Sequence, residues 1–265
     1  MKTLLFFITI TFSALSTFAE IVDVVILHTN DIHSQFAYEN ALLGTIQELR
    51  EKYPESLLLD AGDVFESKVP KALMSEGLAV VDLMNQAGYD GITLGDNAFD
   101  GFSLQEIRDC IVRFQFPVLS ANLVEADTGD PIALPYWIYS LQKATIAVIG
   151  IYNEEALNQA GVLIADPYKV TKYYVTKIKK LVDCVVLLSH QGLKNDRIMA
   201  ERIEGIDVIV GGSSQKVLKQ PEKVGNTIIV QAGAYAQFVG VLELQVDTTL
   251  NQIHAWQGYL KSTKE

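Results

Sequence analysis

Asp31 and His33 close the run Val24-Val25-Ile26-Leu27-His28-Thr29-Asn30-Asp31-Ile32-His33, just past an apolar strand. A carboxylate and an imidazole placed there can bend toward one point. A hard oxygen beside a borderline nitrogen suits Zn, Mn or Fe better than Ca. Asp-x-His alone is common; its weight comes from later strand ends that repeat the pattern. Leu57-Leu58-Leu59-Asp60-Ala61-Gly62-Asp63 ends in Gly-Asp, and the run from Tyr89 through Ile92, Thr93 and Leu94 to Gly95-Asp96 does the same. Cys184 to Ser189 runs into His190, and Asp207 to Val210 runs into the polar turn Gly211-Gly212-Ser213-Ser214-Gln215. Glycine lets a backbone approach an ion closely. In open α/β sheets, sites form outside the carboxyl ends of strands. Against this stands the plain alternative that Asp63 and Asp96 are ordinary turn residues and the histidines structural.

The elements that would position these ends follow from periodicity. Apolar residues at helical spacing predict helices over Ala41 to Tyr53 and Ala72 to Gln86. Ser103-Leu104-Gln105-Glu106 is a capping box opening a helix to about Phe114. Phe116 to Leu123 reads as strand, and Trp137 to Leu141 with Thr145 to Tyr152 reads as a hairpin around Gln142-Lys143. Asp166-Pro167 opens a lysine-rich helix to about Val182, with proline at the favoured first position. Thr227 to Ala232, Phe238 to Val246 and Gln252 to Leu260 are strands with no helix between them, which predicts antiparallel members. So many strands with so few helices call for an α/β fold of two mixed sheets face to face with helices outside.

The chain has 265 residues, 49% of them hydrophobic and 20% charged, a globular composition able to bury a sizeable core. A formal net charge of −11 argues against a nucleic-acid partner. It does not exclude phosphate substrates, because bound dications would dominate the local field. Lys2, the apolar run Leu4 to Leu15 and Thr17-Phe18-Ala19 read as a signal peptide over residues 1–19, too short and too polar for a membrane span. The expectation is a periplasmic or secreted domain over residues 20–265, with no membrane partner after cleavage. Cys110 falls in a helical pattern and Cys184 starts a core strand, so both are expected as buried free thiols. His254 is expected at the surface.

Taken in order, Asp31-x-His33, Gly62-Asp63, Gly95-Asp96-Asn97-Ala98-Phe99-Asp100, His190 and Gly212-Ser213-Ser214-Gln215 resemble the calcineurin-like metallophosphoesterases. More narrowly they resemble the amino-terminal domain of periplasmic 5'-nucleotidases and UDP-sugar hydrolases. Leu119-Ser120-Ala121-Asn122-Leu123 and Val230-Gln231-Ala232-Gly233 extend the likeness, which covers Ile21 to about Leu260. The resemblance implies a four-layer α/β/β/α sandwich and a small phosphate-ester substrate. It also implies one divalent ion (Mn, Zn or Fe) held by Asp31, His33, Asp63 and Gln215. Asp63 would bridge to a possible second ion completed by His190, Asp96 and Ser213. The second, carboxy-terminal domain that grips the nucleoside in those nucleotidases is expected to be missing. With only four histidines in the chain, two at ligand positions weigh against coincidence. His28 matches no ligand position and is read as a packing or supporting residue.

Departures in two motifs qualify the likeness. The family's Gly-Asn-His-Glu is Gly95-Asp96-Asn97-Ala98 here, and its Gly-His-x-His or Gly-His-x-Gln is Gly212-Ser213-Ser214-Gln215. Asp96 keeps an oxygen and adds charge, whereas Ser213 leaves only a hydroxyl in place of an imidazole. Asn97 replaces the family's catalytic histidine, which Asp100 would orient, and losing such a group costs ~10²–10⁴ in rate. Two readings follow: a phosphoesterase of reduced or altered activity, or a non-catalytic descendant that serves as a metal-binding, ligand-binding or interaction protein. Substrate-binding residues and protein partners are not legible.

Overall fold

The computed structural model describes residues 20–141, 143–153 and 161–264. The signal-peptide reading of 1–19 and the hairpin tip at Gln142 lie outside them. Fourteen strands occur in chain order among the described residues. They are β1 (Ile21–Thr29), β2 (Leu57–Asp60), β3 (Gly91–Thr93), β4 (Val118–Leu119), β5 (Leu123–Glu125), β6 (Tyr136–Leu141) and β7 (Ala144–Ile151). There follow β8 (Val162–Ile164), β9 (Cys184–Ser189), β10 (Val208–Gly211), β11 (Glu222–Val224), β12 (Thr227–Val230), β13 (Phe238–Asp247) and β14 (Gln252–Ser262). The α-helices are α1 (Glu39–Lys52), α2 (Pro70–Met74), α3 (Leu78–Ala87), α4 (Leu104–Arg113), α5 (Pro167–Ile178) and α6 (Leu193–Arg202).

Two six-stranded mixed sheets form, in the orders β14-β13-β1-β2-β3-β4 and β11-β12-β10-β9-β7-β6. In the first, β1 to β4 are parallel and the late pair β13 and β14 antiparallel, as the helix-free tail predicts. In the second, β7, β9, β10 and β12 are parallel, with β6 and β11 antiparallel at the edges. Alternating side chains divide the core into three. Ile26, Leu59, Val148, Val186 and Val210 fill the space between the sheets. Leu27, Leu58 and Ile92 face α1, α3 and α4 on one side, and Ile149, Leu187 and Ile209 face α5 and α6 on the other. This is the four-layer α/β/β/α sandwich. Strands buried on both faces read as continuous apolar runs, which is why β1, β2, β9 and β10 are visible in the sequence.

The capping box holds: Ser103 Oγ accepts from the Glu106 amide, and Glu106 accepts from the Ser103 amide. Asp166 caps α5 through the Lys169 amide. Three expectations are corrected. The single helix over Ala72 to Gln86 is two, because the chain breaks at Ser75-Glu76-Gly77, where Gly77 takes φ of 86°. The strand expected over Phe116 to Leu123 is split: β4 joins the first sheet, and β5 pairs with β8 in a separate ribbon. The strand read from Tyr89 to the Gly95-Asp96 end is only Gly91–Thr93. Cys110 and Cys184 are buried and free, and His254 is exposed.

His28 is a packing residue. It is 1% exposed, its ring lies directly against Gly240, and any Cβ at 240 would come within 2.0 Å of its Nε2. Burial pushes its pKa down from 6.5 to about 3. The folded chain keeps it neutral, whereas the unfolded chain takes up a proton below 6.5. Its contribution to stability is therefore present above pH 6.5 and lost as pH falls toward 3. Urea midpoints of wild type should fall over that window, and His28→Gln should flatten the fall. Equal slopes for the two chains would rule out the histidine as the source.

Candidate metal centre

The parallel strands β1, β2, β3, β9 and β10 all point their carboxyl ends to one rim of the sandwich, and each delivers a polar side chain there. Asp31 follows β1, Asp63 follows β2, Asp96 follows β3, His190 follows β9, and Ser213 and Gln215 follow β10. The connecting loops are stitched by backbone bonds from Asp31 N to Gly62 O (2.8 Å), His33 N to Asp63 O (2.8 Å) and His190 N to Ile151 O (2.9 Å). Apart from Glu76 and Asn251, the described non-glycine residues with positive φ are all in these loops, as Asp31, His33, Ser34, Asp63, Ser213 and Gln215, or in the loop after β12, as Tyr235 and Ala236. Strain of this kind persists where surrounding structure fixes it and gathers at working sites. Gly95 is required for another reason: a Cβ there would collide with the Asp63 backbone and carboxylate.

Asp31, Asp63 and His190 each offer a ligand atom within 4.8 Å of the other two. His190 Nδ1 faces the Ala61 carbonyl at 2.7 Å. A carbonyl only accepts, so Nδ1 carries a hydrogen and Nε2 is the ring atom that turns inward. There it meets Asp63 Oδ2 at 3.4 Å and Asp96 Oδ2 at 3.9 Å. His190 Nε2, Asp31 Oδ1 and Asp96 Oδ1 are buried with no hydrogen-bond partner. Two carboxylate oxygens and a ring nitrogen left without partners together in a buried space fit a cation, since each alone would cost an unmade hydrogen bond.

The electrostatics agree. Burial opposes charge on His190, but Asp63, Asp31 and Asp96 outweigh it and raise its pKa to about 10. A proton there answers the same negative field that a metal ion would. Burial raises Asp31 to about 6 against the pull of His190 and the Asn30 amide. Burial works the same way on Asp63, yet His190, the Asn97 amide and His33 together hold it below the usual carboxylate value. The two carboxylates thus shift in opposite directions, and Asp63 is the one kept ionised by its neighbours.

The remaining expected residues group around this triad unevenly. His33 Nε2 lies 3.8 Å from Asp31 Oδ1 and 3.0 Å from the Gln215 amide, so these two stand side by side. Gln215 itself is exposed. Asn97 donates its backbone N–H to Asp63 Oδ1 at 2.8 Å, and its side-chain amide reaches His33 Nδ1 at 3.1 Å. Ser213 is half-buried on its turn, and its hydroxyl makes no hydrogen bond among the described residues. Asp100 is exposed, joined to Asn97 by its backbone N–H at 3.2 Å rather than by its carboxylate.

Sequence reasoning missed three neighbours. Glu66 Oε2 sits 3.3 Å from the Asn97 amide and 3.5 Å from His33 Nδ1, occupying the side that Asp100 leaves open. Asn30 donates to Asp31 Oδ2 at 2.7 Å and accepts from Ala232 N at 2.7 Å, tying β1 to the loop after β12. Tyr235 places its ring 5.0 Å from that of His33. Asn30 directly precedes Asp31 in the opening run, whereas Glu66 and Tyr235 belong to no spacing pattern.

No family model matches the chain. Similar proteins include an uncharacterised metallophosphoesterase, YunD, of Bacillus subtilis, 29% identical over 238 residues, covering 86% of this chain and 51% of that one. A 5'-nucleotidase of Rattus norvegicus is 28% identical over 279 residues, covering 88% and 48% respectively. The chain thus spans about half the length of the curated relatives it matches. Among solved structures, a 5'-nucleotidase precursor from Thermus thermophilus superposes with a TM-score of 0.76 at 25% identity, covering 91% of this chain and 54% of that one.

Proposed function

We propose, from the kinship of this chain with metallophosphoesterases and 5'-nucleotidases, that it is an exported metal-dependent phosphoesterase of altered activity. The convergence of Asp31, Asp63 and His190 carries this reading. Asp31, His33, Asp63 and Gln215 would hold one ion, and Asp63, Asp96 and His190 a second, with Ser213 reaching it only through water. Mn, Zn or Fe suits such an oxygen and nitrogen set. When bound, such ions supply an acidified water and positive charge against phosphoryl oxygens.

The chain's own groups then have definite tasks. Asp63 is held ionised and fixed by the Asn97 amide, so its carboxylate is ready without rearrangement. Ala61 fixes the His190 tautomer, the arrangement that ligating histidines use. Asn97 can donate a hydrogen bond toward a phosphoryl oxygen but has no proton to give a leaving group. Activity should therefore favour esters whose leaving groups need no protonation, such as aryl phosphates. Export is supported by the Lys2, apolar-run and Ala19 pattern. No helix among the described residues is long and apolar enough to cross a membrane. A non-catalytic binding role is favoured instead by the Asn97 and Ser213 replacements.

The test is a purification from the exporting host with amino-terminal sequencing, metal content per chain, and turnover on a phosphoester panel. The expected result is a chain starting near Glu20 that binds Mn or Zn and hydrolyses aryl phosphates faster than alkyl ones. A metal-replete protein inert on the whole panel would leave the binding reading.

A further inference from the structure

The residues of the candidate centre leave the organic half of a phosphoester unplaced, and two exposed side chains on segments next to it, Tyr235 and Val217, are not claimed by the core. Tyr235 donates its backbone N–H to Asp31 O at 2.8 Å, which fixes its backbone beside Asp31. Its ring tilts 32° against His33 at 5.0 Å between centroids, yet the residue stays 40% exposed. Its φ of 56° is an outlier for a bulky side chain, and half-exposure means that core burial does not offset the cost. Val217, 43% exposed, stands on the adjoining segment just after Gln215. The two segments are locked together by the bridge between Val217 and Ala232 and by Gly233 N donating to Lys216 O at 3.0 Å. The Tyr235 ring thus stands beside His33 and Gln215, and exposed Val217 lies on the segment bridged to the one that carries Tyr235.

We infer that Tyr235 and Val217 form the subsite for the ester group: a flat, apolar substituent carried directly on the phosphate, lying against them. The inference rests on the phosphoesterase reading and adds the substrate class that this domain itself selects. A small polyol or alkyl phosphate would leave both side chains in water. An aryl group removes them from it and gains a ring contact.

The experiment is calorimetric titration of phenylphosphonate and methylphosphonate into the manganese-loaded chain, with Tyr235→Ala, Tyr235→Phe and Val217→Ser. Alanine keeps a Cβ, so the backbone strain at 235 is unchanged and only the ring is removed. Wild type should bind phenylphosphonate at least ~5-fold more tightly than methylphosphonate, the scale of one good aromatic contact. Tyr235→Ala should lose that preference while binding methylphosphonate and manganese as wild type does. Tyr235→Phe should keep the preference, and Val217→Ser should reduce it. Equal weakening of both phosphonates, or loss of manganese, in Tyr235→Ala would show that the ring only supports His33 and would overturn the inference. If manganese-loaded wild type binds neither phosphonate, the phosphoesterase reading itself fails and this one falls with it.

Discussion

Asp63→Ala should weaken Mn or Zn binding by at least ~100-fold, beyond the 10–100-fold typical of losing an outer-shell partner. The Asp63 carboxylate does two things at once. Oδ1 accepts the Asn97 amide at 2.8 Å, and Oδ2 faces His190 Nε2 at 3.4 Å inside the triad. Removing it leaves Asp31 and His190 without the group that joins them and strands the Asn97 N–H. Gln215→Ala removes one neutral oxygen from an exposed residue, leaving Asp31, His33 and Asp63 in place. Its loss should therefore be ~10-fold or less, below that of an anionic ligand. Asp63→Asn keeps an acceptor for Asn97 but not the charge, and should fall between the two. Calorimetric titration of each variant, with urea midpoints to confirm folding, decides the order. Equal small losses would return Asp63 to the status of a turn residue.

How far the sequence reveals this centre depends on how local each signal is. Asp31, Asp63, Asp96 and His190 are legible because each sits one to three residues beyond a strand so buried that it reads as an apolar run. The capping box at Ser103 is legible because its partners are three residues apart. Glu66 is not, since nothing between Asp63 and Glu66 says that the loop turns back onto His33 and Asn97. Tyr235 is invisible for a similar reason: its position beside the centre depends on a backbone bond to Asp31, some two hundred residues away. The helix α6 escapes a periodicity reading because Leu193–Arg202 is largely polar, and its buried face combines Leu193, Met199 and Ala200 with the carboxylate of Asp196. The break between α2 and α3 is legible after the fact in Ser75-Glu76-Gly77, where the apolar spacing continues across a residue that leaves the helix. Periodicity reports which face is apolar; it does not report whether the backbone is continuous.

Asn97→His combined with Ser213→His should raise phosphoester turnover by at least ~10-fold, a modest share of the ~10²–10⁴ that a positioned acid–base group supplies. The position of Asn97 supports the first change: its backbone is anchored to Asp63 and its side chain already points at His33 and Glu66. A histidine there would find the Glu66 carboxylate within reach to orient it, a role Asp100 does not take from its exposed position. Ser213 supports the second, because its hydroxyl has no hydrogen bond among the described residues that an imidazole would break. The gain should need both changes, since a proton donor at 97 helps only if the Asp63, Asp96 and His190 group binds its ion firmly. Asp96 carries one negative charge more than the asparagine of the resembled motif, so Asp96→Asn is the third change to add. Single, double and triple variants are compared on an aryl phosphate and a nucleoside monophosphate with added Mn. Alkyl-type leaving groups, which need protonation, should gain more than aryl ones. Variants that fold, bind two ions and still hydrolyse nothing would mean that the rim around the centre has been rebuilt for binding rather than turnover.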